Sequence, residues 1–208
     1  MIALIVHYTR HGNTHFLAEA IEEGAKEVEE ADVQMRRIPE PSTPVETYMS
    51  KADQRFHESF LQIPVCSTDE LRDADAIFFG APTYAGSMCA EMQRFMESMS
   101  SLWAEGALTG KVGSAFTSSA SQHGGQELAL LGIHAAMLHM GMITVGLPFA
   151  STDQLRIDEV NGVTPLGAAT ISGQRGERRP SKIELDAARF QGRHVTSIAS
   201  RLARKKDD

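Results

Sequence analysis

Ile2-Ala3-Leu4-Ile5-Val6-His7-Tyr8-Thr9-Arg10-His11-Gly12-Asn13-Thr14 is the stretch that decides the fold. An apolar run breaks into a turn that carries hydroxyls and a glycine. A helical pattern follows from His15, with Leu17, Ile21, Gly24, Ala25 and Val28 at helical spacing. A buried strand, a short polar turn and a helix start together make an anion site. The first backbone N–H groups of a helix are unpaired, and its dipole favours negative charge by ~0.3–1 kcal/mol. Thr9, Asn13 and Thr14 add side-chain donors. The same residues also read as an ordinary turn, with Asn13 or Thr14 as the N-cap.

The turn does not suit a nucleoside triphosphate. A Walker loop ends in Gly-Lys-Ser/Thr, and neither that Lys nor a second Gly is present here. The three spaced glycines of a dinucleotide fingerprint are missing too. One Gly with several hydroxyls suits a lone phosphate monoester. Gly106 to Val112 imitates a Walker loop, but it is one residue short and precedes a strand. His7, His11 and His15 are spaced by four, yet they fall on strand, turn and helix, so the expectation is no metal site.

The rest of the chain alternates between strand and helix patterns. Val33 to Ile38 reads as a second strand, and a long connection from Pro39 to about Cys66 reads as either a lid or a mobile insertion. A short helix starts at Thr68. Ala76 to Phe79 is a buried strand ending at Gly80-Ala81-Pro82-Thr83-Tyr84. A helix carrying Met88, Met92, Phe95, Met96 and Met99 follows. Lys111 to Phe116 is the next strand, Gln126 to His139 a helix, and Met142 to Gly146 a fifth strand. Pro148 to Pro180 is glycine-rich and weakly periodic. Ser181 and Glu184 have capping-box spacing before a last helix to about Leu202, and the tail from Arg204 is expected to fray.

Five strands alternating with helices predict an α/β fold with a doubly wound parallel sheet and helices on both faces. Residues 1–208 are expected to form a single domain, with insertions near 39–66 and 148–180. In the strand order 2-1-3-4-5, ligands bind at the strand C-terminal ends between strands 1 and 3. Three loops should converge there: Thr9–Thr14, Pro82–Tyr84 with Gly86, and Ser118–Gly125. Tyr84 can stack on a flat ring. Ser118, Ser119, Ala120, Ser121, Gln122 and His123 suit the polar edge of a heterocycle, although composition alone favours a solvated turn.

Composition narrows the class. The chain of 208 residues is 42% hydrophobic and 23% charged, as soluble globular proteins are. A net charge of −7 is at odds with a nucleic-acid surface and with an anionic membrane. The apolar runs are far shorter than the ~20 residues of a membrane span, and no signal-peptide layout is present. Cys66 and Cys89 lack Cys-x-x-Cys spacing and read as free thiols of a cytoplasmic protein.

Thr9, Gly12, Thr14, Ala18 and Ile21 resemble the flavodoxin fingerprint, with His7 standing where that family favours an aromatic. Longer stretches are similar to the WrbA-type NAD(P)H:quinone oxidoreductases. They are Gly80-Ala-Pro-Thr-Tyr-Ala-Gly-Ser-Met, Leu102-Trp103-x-x-Gly106-Ala-Leu-x-Gly110-Lys, Phe116-Thr-Ser-Ser-Ala-Ser-Gln-His-Gly-Gly-Gln-Glu127, Thr164-Pro-Leu-Gly-Ala and Arg189-Phe-Gln-Gly-Arg. The resemblance implies a flavodoxin-like fold and FMN held by Thr9, Arg10, His11, Gly12, Asn13, Thr14, Pro82, Thr83, Tyr84 and Ser118 to His123. It implies that His139 reaches the flavin of a neighbouring subunit, that Trp103 and His11 border the substrate cavity, and that the assembly is a homotetramer. The implied reaction passes a hydride from NAD(P)H through FMN to a quinone, two electrons at a time. No catalytic side chain is required, although His139 can supply a proton. His11 stands where many relatives carry Tyr, and Tyr84 where many carry Arg-Phe. The alternative readings are a flavodoxin-like electron carrier, a regulatory flavoprotein without turnover, and a reductase of other flat acceptors such as azo dyes or nitroaromatics.

Overall fold

The computed structural model describes residues 1–40, 51–149 and 155–204. The expected fraying of the tail after Arg204, and parts of both expected insertions, lie outside them. One sheet organises the chain. Its main path is β2 (Asp32–Arg37), β1 (Ile2–His7), β3 (Ala76–Tyr84), β5 (Val112–Ser119) and β6 (Ile143–Thr144), all parallel. This is the order expected for five strands. Two further strands were not expected. β4 (Ser87–Met88) folds back antiparallel on β3, and β7 (Ala169–Ile171) runs parallel to β5.

The outer edge of β5 is shared. β6 pairs with its start at Val112 and Gly113, and β7 with its end at Thr117 to Ser119. The fifth strand is therefore split, and the glycine-rich excursion is spliced between its halves. The expected strand to Gly146 stops at Thr144 for this reason. Met88 is also corrected: it belongs to the β3–β4 hairpin, and the helix α4 (Ala90–Ser98) begins after Cys89. The Met stripe then leaves α4 at Met99, which ends that helix and caps the start of α5 (Ser100–Ala104).

Alternation along the strands divides the core. Leu4, Val6, Ile77 and Phe79 face one side, packed with Leu71, Met92, Phe95, Leu102, Leu130 and Ile133. Ala3, Ile5, Phe78 and Phe116 face the other, beneath α1 (Asn13–Lys26) and α7 (Lys182–Arg204). Each fully buried Phe or Ile contributes roughly 1.5–3 kcal/mol. α3 (Thr68–Asp73) starts with a complete capping box between Ser67 and Glu70, and α6 (Gln126–His139) covers the β5 side. The long connection after β2 contains α2 (Lys51–Phe60), whose Phe60 is buried against His7.

Candidate functional site

The parallel strands β1, β3 and β5 end at one rim, and their loops meet there. Thr9, Arg10, His11 and Asn13 follow β1, Pro82 to Tyr84 end β3, and Ser118 to Ala120 follow from β5. They line a cavity of about 490 Å³, within the size range of small-ligand sites. Gly125, in the left-handed region at φ 92, caps α6 and lies against Gly86; a Cβ there would come within 2.3 Å of the Gly86 carbonyl oxygen. This contact locks the second loop to the third.

The turn after β1 is built from its backbone. Gly12 is the N-cap of α1 at φ 91, a left-handed conformation that costs other residues ~1–2 kcal/mol. No side chain caps α1, so neither Asn13 nor Thr14 fills that role. The Gly12 N–H donates to Thr9 Oγ1 at 3.1 Å, which leaves the Thr9 hydroxyl hydrogen free to point elsewhere. Thr14 and Ser118 share a hydroxyl–hydroxyl bond of 2.8 Å, leaving one of their two hydrogens uncommitted. Asn13 Nδ2 donates to the Gly176 carbonyl at 3.2 Å, so that side chain braces the turn and is not a free donor. Its Oδ1 is buried with no hydrogen-bond partner among the described residues.

A fourth wall was missed by the sequence reading. Ser172, Gly173, Gln174 and Arg175 also line the cavity. Ser172 donates to the Ser119 carbonyl through N–H (2.7 Å) and Oγ (2.9 Å), and Arg179 Nη1 donates to the His11 carbonyl at 3.3 Å. A signal was present: the β-branched Thr170-Ile171 pair runs into Ser172-Gly173, a short strand pattern ending in a polar turn. Behind this wall sits Glu184, fully buried. It accepts from Gly162 N–H (2.9 Å), Ser181 N–H (2.8 Å), Thr170 Oγ1 (2.8 Å) and Arg178 Nη1 (2.9 Å). The capping box is real, and its carboxylate also anchors the whole excursion to α7.

Other expected residues lie elsewhere. Gly12 and Thr14 support the turn from behind, while Ser121, Gln122 and His123 are exposed beyond the cavity lining. Trp103 and His139 stack on each other, centroids 5.3 Å apart and 9° from parallel, on the exposed outer surface. Neither lines this chain's own cavity. Among the described residues no cluster of three or more His, Cys, Asp or Glu side chains is placed to hold a metal.

The wall charges are set by close pairs. Arg10 Nη2 donates to Glu91 Oε1 at 2.8 Å, and its guanidinium carbon lies 4.1 Å from the Tyr84 ring centroid. Burial alone would raise the Glu91 carboxyl, but the hydrogen bond from Arg10 brings it below the usual range. Burial pushes the Cys89 and Cys66 thiols up to about 12, so both are inert at neutral pH.

These residues fit FMN. The uncapped start of α1 offers backbone donors to a phosphate. The orphaned Asn13 Oδ1 is an acceptor that a hydroxyl of the ribityl chain would satisfy. Comparison with known proteins agrees. The model of the NADPH-dependent FMN reductase family matches residues 1–155. A protein of Geotalea uraniireducens (strain Rf4) named NAD(P)H dehydrogenase (quinone) is 50% identical over 204 residues, 98% of this chain and 100% of its own. One of the same name from Geotalea daltonii is 49% identical, covering 97% of this chain and 98% of its own. The crystal structure of a WrbA-like flavodoxin from Agrobacterium tumefaciens superimposes with a TM-score of 0.67 at 23% identity, over 96% of this chain and 98% of that one, which shows the flavodoxin-like fold. By the length of the family match and by full-length identity to such relatives, this chain belongs to the NADPH-dependent FMN reductase family.

Proposed function

We propose that the protein is an FMN-dependent NAD(P)H:quinone oxidoreductase that reduces quinones to hydroquinones by two electrons. The observation that carries this reading is the convergence of four loops on one 490 Å³ cavity whose floor is an uncapped helix start. Thr9 to Thr14 would hold the phosphate, mainly through backbone N–H groups. Pro82 to Tyr84 and Ser118 to Ala120 would hold the ring, with Ser121 to His123 at its outer edge. FMN, when bound, supplies the two-electron relay between NAD(P)H and the quinone. The chain's own residues bind, orient and shield. One cavity serves both substrates, so they must enter in turn. His11, on the cavity wall, borders the space they share.

The tetramer belongs to the same reading. Leu128, Leu131 and Leu138 lie along one face of α6 and are 58%, 49% and 62% exposed. Trp103, stacked on His139 near the end of the same helix and also half-exposed, extends this apolar surface. Burying this face against other copies of the chain would carry the Trp103–His139 stack to a neighbour's cavity, where His139 could hold a proton for the hydroquinone. Residues 1–208 read as a single domain, because α1 and α7, far apart in the chain, share one buried core against the same face of the sheet. A cytoplasmic location is supported by two buried free thiols. Among the described residues no helix is long and apolar enough to cross a membrane. Steady oxidation of NADH or NADPH with benzoquinone by the purified FMN-loaded protein tests the assignment. Flavin binding without turnover would favour an electron carrier instead.

A further inference from the structure

Arg10 and Tyr84 belong to the stretches read as holding FMN, whereas their partner Glu91 does not. Arg10 and Tyr84 line the cavity, while Glu91 stands behind them in the first turn of α4. A single guanidinium therefore joins the turn after β1, the end of β3 and α4. The Glu91 side chain is only 2% exposed, and Arg10 is its sole ion-pair partner among the described residues. Its Oε2 is buried and has no hydrogen-bond partner among the described residues. A buried carboxylate in this condition is a poor source of stability, since its desolvation offsets most of the attraction. It does determine where Arg10 sits and what charge the wall presents.

We propose that Glu91 is a positioning residue that pins Arg10 against Tyr84 and cancels its charge, so fixing the potential that the wall imposes on a bound flavin. The proposal rests on the reading that the cavity holds FMN. Reduction adds negative charge to a flavin, so wall charge bears on the two oxidation states unequally. Glu91→Gln keeps an acceptor for Arg10 but leaves its positive charge uncancelled. Arg10→Gln leaves the negative charge instead. The double variant removes both.

The test is the two-electron midpoint potential of bound FMN at pH 8, with FMN dissociation constants and thermal unfolding of the apoproteins measured alongside. Glu91→Gln is expected to raise the potential, changing the ratio of oxidised to reduced dissociation constants by about tenfold, the order for one uncompensated charge inside a cavity. Arg10→Gln is expected to lower it, and the double variant to return it to within about threefold of the wild-type ratio. Glu91→Asp should stay near wild type. If either single variant fails to fold, the other and the double carry the same test. Shifts in one direction for both singles, or no shift while FMN still binds, would overturn the proposal and mark Glu91 as merely structural. A wild-type protein that ignores FMN would overturn the flavin reading, and this proposal with it.

Discussion

His7 Nε2 lies 3.0 Å from His15 Nδ1, and the two rings stack 17° from parallel. One residue ends β1 and the other stands in the first turn of α1, so the pair staples both sides of the turn between them. His7 Nδ1 faces the Arg36 carbonyl at 3.2 Å and must donate to it, which leaves Nε2 to accept from His15. Phe60 and Phe56 close over the rings. Burial, and then the neighbouring His15, pushes His7 down to about 3; burial also lowers His15, although Glu19 works against it.

Acid should therefore loosen the fold in a definite window. The unfolded chain protonates these imidazoles near 6.5, whereas folded His7 resists until about 3. Stability is full above 6.5 and falls as pH drops toward 3, by up to about 1.4 kcal/mol per pH unit for one histidine. His7→Phe should flatten the slope by about that amount between pH 6.5 and 5. Urea midpoints across this range check it, and identical slopes would contradict it.

Glu184→Ala should cost about 3–5 kcal/mol, because it leaves Arg178 and several buried N–H groups without their acceptor. The Ser172–Arg175 wall should loosen with it. Protease nicking near residues 155–180 is expected to speed up before global unfolding, and unchanged nicking would refute the anchoring role.

Gly12→Ala places a Cβ in the left-handed region, 3.2–3.3 Å from Phe56, Phe16 and Arg179. A loss of about 1–3 kcal/mol is expected, with FMN affinity weakened about tenfold as the backbone donors shift. Chemical denaturation and flavin fluorescence quenching measure the two effects. Wild-type affinity in this variant would argue against a backbone cradle.

Leu131→Asp puts a charge on the exposed apolar face of α6. Sedimentation should show smaller species, while FMN affinity stays within about threefold because the cavity belongs to one chain. Quinone turnover should fall, since in the proposed assembly Trp103 and His139 would reach a cavity through a neighbour. Full turnover by a monomer would remove both residues from the substrate site.

Much of this was legible in the chain because period and turn chemistry agree locally. The Ile2–Val6 run, the Gly12 turn and the Ser-rich loop after β5 gave strand ends, and strand ends in a parallel sheet meet at one rim. What escaped depends on long-range pairing. β7 is three residues long and defined by its edge of β5, more than fifty residues away. The His7–His15 contact escaped for a related reason: strand, turn and helix fold back on themselves, so residues that share no helical face still meet. Arg10 read as one more turn residue until Glu91, on a different helix, fixed its direction.

The most direct measurement is a calorimetric titration of the apoprotein with FMN, with riboflavin as the comparison. Micromolar or tighter FMN binding at one site per chain, with riboflavin at least tenfold weaker, is the predicted result if the turn holds the phosphate as proposed. Equal affinity for the two, or no heat with either, would contradict it.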